Sequence, residues 1–148
     1  MNKEAGTERL DRRRQALTEG LKPGRRMRIC DVGANPLTEP PYAGLLKDRA
    51  TEVFGFEPNP KAFQELQDQK SDLETYFEQA VGRAGRRTLY LHPMSGFTSL
   101  FPMDRYALRQ IGKQKWRRPR KTEEVPLDTL PLDELEGLPP ADILKMAL

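Results

Sequence analysis

The stretch Met27-Arg28-Ile29-Cys30-Asp31-Val32-Gly33-Ala34-Asn35 decides how the rest of the chain is read. An apolar run with little polar alternation suits a strand buried on both faces, as at the centre of a parallel sheet. Gly33 closes the run and lets the backbone turn sharply and approach a ligand. A second strand, Glu52-Val53-Phe54-Gly55-Phe56, ends at Glu57-Pro58. Asn59 is then the N-cap of a helix starting at Pro60, where proline's missing N–H costs nothing, and Phe63 and Leu66 supply its core face. Working outward, helices are expected over 7–21, 42–49 and 106–111. Strands are expected over 74–81, 88–92 and 141–148, the last of them buried, with 122–127 extended. Leu10, Leu17 and Leu21 form the apolar stripe of the first helix, whose Arg-rich remainder reads as solvated. Strands alternating with helices indicate an α/β fold with a mostly parallel sheet.

Composition removes several classes of protein. The chain has 148 residues, 36% of them hydrophobic and 32% charged, enough for one domain with a modest core. No stretch approaches the roughly 20 apolar residues that a membrane span needs. A single cysteine, Cys30, makes no internal disulfide and suits a reducing cytoplasm. The net charge of +3 hides alternating blocks. Residues 1–28 carry nine basic and four acidic side chains, and residues 29–104 carry seven and eleven. Residues 105–121 carry eight basic and none acidic, and residues 122–148 one and seven. Blocks of opposite sign neutralise one another on folding, so basicity alone does not imply a nucleic-acid partner.

Ligands of parallel α/β sheets sit beyond the carboxyl ends of the strands, where Asp31-Val32-Gly33-Ala34-Asn35 and Glu57-Pro58-Asn59-Pro60 fall. Glu57 lies 24 residues beyond Gly33, near the spacing at which a carboxylate accepts hydrogen bonds from both hydroxyls of a ribose. Phosphate-bearing nucleotides call for a glycine-rich turn leading straight into a helix. Here one glycine precedes a loop studded with Pro36, Pro40 and Pro41, and Asp31 repels phosphate. S-adenosylmethionine has a ribose and adenine, no phosphate, and two cationic groups, a pattern that Asp31 and Glu57 fit better.

Taken in order, several segments resemble the FkbM-type S-adenosylmethionine-dependent methyltransferases. They are Cys30-Asp31-Val32-Gly33-Ala34-Asn35, Val53-Phe54-Gly55-Phe56-Glu57-Pro58-Asn59-Pro60, Glu78-Gln79-Ala80-Val81-Gly82 and Thr98-Ser99-Leu100. Val125-Pro126-Leu127-Asp128-Thr129-Leu130 and Ala141-Asp142-Ile143-Leu144-Lys145-Met146 complete the set, which spans about residues 28–146. The resemblance implies a Rossmann-like sheet and methyl transfer, commonly to a hydroxyl oxygen of a small molecule or sugar. By position it implies that Asp31, Gly33 and Asn35 line the methionine end of the cofactor. Glu57, with Asn59 beside it, would hold the ribose, and Ala80 and Val81 would flank the adenine.

Two departures accompany the resemblance. Pro36-Leu37-Thr38-Glu39-Pro40-Pro41 stands where the family often has a further glycine, and Ala147-Leu148 follows Met146 in place of an acidic residue. The expectation is therefore a basic helical extension over residues 1–26 and a partial methyltransferase domain over 27–148, incomplete at its C-terminus and with little or no activity alone. The strand near Asp142 should lie beside that of Ile29 to Val32 and leave an open edge, inviting a homodimer.

Other residues carry plainer readings. Cys30 reads as a small core residue; His92 could be a general base for a hydroxyl substrate, but a structural or solvated side chain is the simpler reading. No His/Cys cluster suggests a metal, and no catalytic base is evident. The run Lys113-Gln114-Lys115-Trp116-Arg117-Arg118-Pro119-Arg120-Lys121 supports the alternative class, a nucleic-acid-binding module in which Trp116 stacks a base and the arginines meet phosphates. A solvated basic loop facing the acidic tail is the simpler reading of that run.

Overall fold

The computed structural model describes residues 3–21, 24–93, 95–110, 112 and 122–146. Among the described residues, four α-helices and seven strands follow one another: α1 (Lys3–Leu21), β1 (Met27–Val32), α2 (Ala43–Lys47), β2 (Thr51–Phe56), α3 (Pro60–Gln69), β3 (Glu74–Phe77), β4 (Ala80–Val81), β5 (Gly85–Leu91), α4 (Arg105–Gln110), β6 (Glu123–Leu130) and β7 (Ile143–Met146). Strands β3, β2, β1 and β7 form, in that order, an all-parallel sheet. A smaller mixed sheet runs β4-β6-β5, with β4 parallel and β5 antiparallel to β6. This is an α/β, Rossmann-like arrangement.

The pairing register of the parallel sheet sets everything that follows. Lys145, Asp31, Gly55 and Tyr76 stand side by side across the four strands, and Met146, Val32, Phe56 and Phe77 form the next row. Alternation along each strand sends the two rows to opposite faces. On one face, Ile29 and Val53 pack with Tyr42, Leu45 and Leu46 around α2, while Ala34 and Tyr76 pack with Phe63 and Leu66 of α3. On the other, Cys30, Val32 and Phe56 meet Phe77, Val81, Leu132, Leu135 and Leu138. The Phe56 and Phe77 rings stack with centroids 5.0 Å apart.

Local signals account for most of these elements. Asn59 caps α3 by accepting from Lys61 N at 3.1 Å, with Pro60 in the first turn as expected. Cys30 is 1% exposed, a core residue, and burial pushes its thiol pKa up. At the start of β7, Asp142 ties the strand to β1: its carboxylate accepts from Arg28 N at 2.8 Å and from Arg25 at 2.6 Å.

Four expectations need correction. The stretch 74–81 is two strands, because the chain leaves the parallel sheet after Phe77 and Ala80-Val81 pairs instead with Thr129-Leu130. The strand expected from residue 88 begins at Gly85, since Gly85 to Thr88 already pair with Pro126 to Thr129. Leu10 and Leu17 of α1 are exposed, and the helix is held instead by Arg14, whose Nε lies 2.5 Å from Asp48 Oδ2. Strand β7 pairs with β1 at the expected place, yet Ile143, Leu144 and Met146 are exposed rather than buried. The basic run 113–121 lies outside the described residues, as do Ala147 and Leu148. No helix among the described residues is long and apolar enough to cross a membrane.

Candidate functional site

The turn after β1 is built around Gly33, whose φ of 76° lies in the left-handed region that glycine adopts without steric cost. That conformation turns two successive N–H groups, of Gly33 and Ala34, toward the same Phe56 carbonyl at 2.9 and 3.1 Å. The end of β1 is thereby closed against the end of β2. Immediately beyond, Glu57 N donates to Phe77 O at 3.1 Å, which fixes the next turn to β3.

Two buried carboxylates stand at these strand ends. Asp31 is 1% exposed and Glu57 3% exposed. Asp31 Oδ2 accepts from the Tyr42 hydroxyl at 2.5 Å. Lys145 Nζ comes within 2.7 Å of Asp31 Oδ1, but its hydrogen bond goes to Gly33 O at 3.2 Å. Oδ1 is thus a buried oxygen near a positive charge with no hydrogen bond directed at it from the described residues. Such an atom leaves a directed donor wanting.

Glu57 Oε1 accepts from Asn59 N at 2.9 Å. Burial is the main cause holding the Glu57 carboxyl above its ordinary pKa; the Asn59 N–H opposes it, Asp31 adds to it, and Lys145 opposes it. Burial likewise raises the Tyr42 pKa, reinforced by its bond to Asp31, so the phenol stays a hydrogen-bond donor.

Gly55 explains how a tyrosine reaches this row. A Cβ there would lie 2.4 Å from Tyr76 Cδ1 and 3.0 Å from Ala34 Cβ, so the missing side chain makes room for the Tyr76 ring. The Tyr76 hydroxyl donates to Glu74 Oε1 at 2.7 Å. A cavity of ≈ 330 Å³ opens over the row, lined among others by Asp31, Asn35, Tyr42, Glu74, Tyr76 and Lys145. A second, of ≈ 490 Å³, lies between the first turn of α3 and Pro93, Gly96 and Phe97, lined also by Leu37, Asn59, Lys61, Ala62 and Glu65. Both volumes suit a small-molecule ligand.

A scan of protein families matches the methyltransferase FkbM domain over residues 31–146 of the 148. The chain belongs to the FkbM methyltransferase family. No curated protein and no solved structure matches it. Membership of this family implies methyl transfer from S-adenosylmethionine to an acceptor.

Within the methyltransferase domain the residues singled out from sequence fall in distinct places. Asp31 and Asn35 line the smaller cavity and Asn59 the larger one, while Gly33 ties the end of β1 to that of β2 and Glu57 the end of β2 to that of β3. Ala80 is buried in β4, and Val81 packs against the opposite, apolar face with Cys30, Val32 and Phe56. Tyr42, Tyr76 and Lys145 escaped the sequence reading as site residues. The signal for Tyr76 was Gly55, a glycine inside a strand, which marks a close approach. Lys145 carried no local signal, because only strand register sets it beside Asp31.

Proposed function

We propose that this domain binds S-adenosylmethionine across the carboxyl ends of β1 and β2 and methylates a hydroxyl oxygen of a small molecule or sugar. One observation carries the binding reading: two buried carboxylates flank the left-handed Gly33 turn at adjacent strand ends, and one oxygen of Asp31 faces, among the described residues, the partly exposed Lys145 ammonium without an aligned hydrogen bond. Asp31 Oδ1 suits the methionine ammonium. Glu57, which uses Oε1 on Asn59 N, offers its remaining acceptor sites to the ribose diol. Asn35 and Gly33 border the methionine end, Asn59 the ribose, and Ala80 and Val81 the adenine.

When bound, the cofactor supplies an electrophilic methyl group on a sulfonium. The chain's own part is to bind and orient: the Gly33 turn brings backbone close, and the paired acids hold the ligand by charge and by hydrogen bonds. Alignment of the acceptor oxygen with the methyl–sulfur bond then supplies most of the rate, as proximity and orientation do in general.

Calorimetric titration with S-adenosylhomocysteine tests the site, and transfer of a labelled methyl group to a panel of polyols, sugars and carboxylic acids tests the acceptor. The expected result is saturable binding, weakened by E57A, and a base-stable methyl ether as product. Absence of binding rejects the site, and a base-labile methyl ester rejects the acceptor class.

A further inference from the structure

The row across the parallel sheet contains one cation to which the cofactor reading gives no task. Lys145 stands beside Asp31 in the register of β7 and β1, so both side chains leave the same face of the sheet. The two differ in access: 29% of the Lys145 side chain is exposed against 1% for Asp31. Lys145 also lines the ≈ 330 Å³ cavity together with Asp31 and Asn35. Its ammonium therefore covers a carboxylate oxygen, 2.7 Å away, without aligning a hydrogen bond on it, and donates to Gly33 O instead. A lysine head on a flexible four-carbon stem, with open volume beside it, can move while Asp31 stays fixed by Tyr42.

The methionine half of the cofactor carries an ammonium and a carboxylate on one carbon. An incoming ammonium aligned on Asp31 Oδ1 displaces Lys145 from that oxygen and brings a carboxylate next to the displaced cation. Each buried charge exchanges one partner of opposite sign for another, so none is left uncompensated. We propose that Lys145 binds the α-carboxylate of the methionine half while Asp31 binds its ammonium, so that the pair selects the amino-acid end of the ligand rather than its nucleoside. This rests on the cofactor reading above.

Three ligands separate the possibilities in calorimetric titrations of the full chain: S-adenosylhomocysteine, its decarboxylated analogue (which keeps the ammonium), and 5′-methylthioadenosine, which lacks both charges. The wild-type chain should bind the decarboxylated analogue about tenfold to hundredfold more weakly than S-adenosylhomocysteine, the range for a hydrogen bond between charged groups. K145M should bind those two ligands alike, K145R should restore the preference, and 5′-methylthioadenosine should bind all three proteins within about twofold, a sign that the site remains folded. Equal affinity of the wild-type chain for S-adenosylhomocysteine and its decarboxylated analogue overturns the proposal without any variant. Unchanged or tighter S-adenosylhomocysteine binding by K145M also overturns it, making Lys145 a bystander or a competitor. A wild-type chain that binds none of the three ligands fails the cofactor reading itself, which distinguishes the two failures.

Discussion

Across the parallel sheet, Met146, Val32, Phe56 and Phe77 stand in one row, and Lys145, Asp31, Gly55 and Tyr76 stand in the row beside it. The same four strands supply both, one residue apart, so backbone pairing is shared and only the side chains differ. Val32, Phe56 and Phe77 of the first row meet the aliphatic side chains of Val81, Leu132, Leu135 and Leu138 and close into a core, while Met146 at the row's end stays exposed. The second keeps a buried carboxylate, two tyrosine hydroxyls bonded to acids, a cation and a cavity. On that second face the Asp31 carboxylate is held between the Tyr42 hydroxyl and the Lys145 ammonium, among apolar clusters of its own. The contrast teaches that strand ends in this fold divide their labour by face.

The largest effect should come from the apolar row. F56A removes a stacked ring that is 1% exposed, and chemical denaturation should show a loss of about 3–5 kcal/mol. A loss below about 1 kcal/mol would mean that the stability lies elsewhere. Next, G55A places a methyl group 2.4 Å from Tyr76 Cδ1, which forces the ring to move and should cost about 1–3 kcal/mol. If the cost is negligible, the Tyr76 ring is not held over Gly55.

D31N sharpens the comparison from the other side. The amide keeps an acceptor for the Tyr42 hydroxyl but removes the charge beside Lys145. Stability should change by about 1 kcal/mol, while S-adenosylhomocysteine affinity falls at least about tenfold. A D31N protein that binds as well as wild type would reduce Asp31 to a structural residue.

Glu57 gives a smaller, pH-dependent effect. Burial holds its carboxyl above the ordinary value of 4.5, so the native state binds that proton more tightly than the unfolded chain does. The resulting stability is fully present below about pH 4.5 and is lost as pH rises through the raised native value. E57Q cannot ionise, so its thermal midpoint should gain on wild type as pH rises above about 4.5 and then level off. A difference that stays constant with pH would show that the carboxyl is solvated. The smallest change is expected at the exposed end of the apolar row. M146K places a charge on the edge strand β7, where Met146 is 51% exposed, and should lower any self-association measured by sedimentation. Identical sedimentation of the two proteins would leave the edge without a role in pairing.

The legible parts of the molecule were those with local signals. β1 and β2 showed as apolar runs ending at Gly33 and Glu57, and α3 showed through Asn59 and Pro60. The division between β3 and β4 was hidden because residues 74–81 look continuous, and the partner that draws Ala80-Val81 away is β6, far along the chain. Periodicity pointed to a leucine face on α1, whereas the contact that docks it is the ion pair of Arg14 with Asp48. Glu57 was visible as an acid just after a strand, and Asp31 as an acid near the end of one. Their burial, and the approach of Tyr42 and Lys145, depend on pairings and loops that no local pattern encodes.

The most direct test of the central claim is an amide correlation spectrum of the chain titrated with S-adenosylhomocysteine. Saturable shifts should concentrate at Gly33, Ala34, Asn35, Glu57 and Asn59, with the exposed face of α1 unmoved. Shifts confined to other parts of the chain, or no shifts at saturating ligand, would contradict the claim.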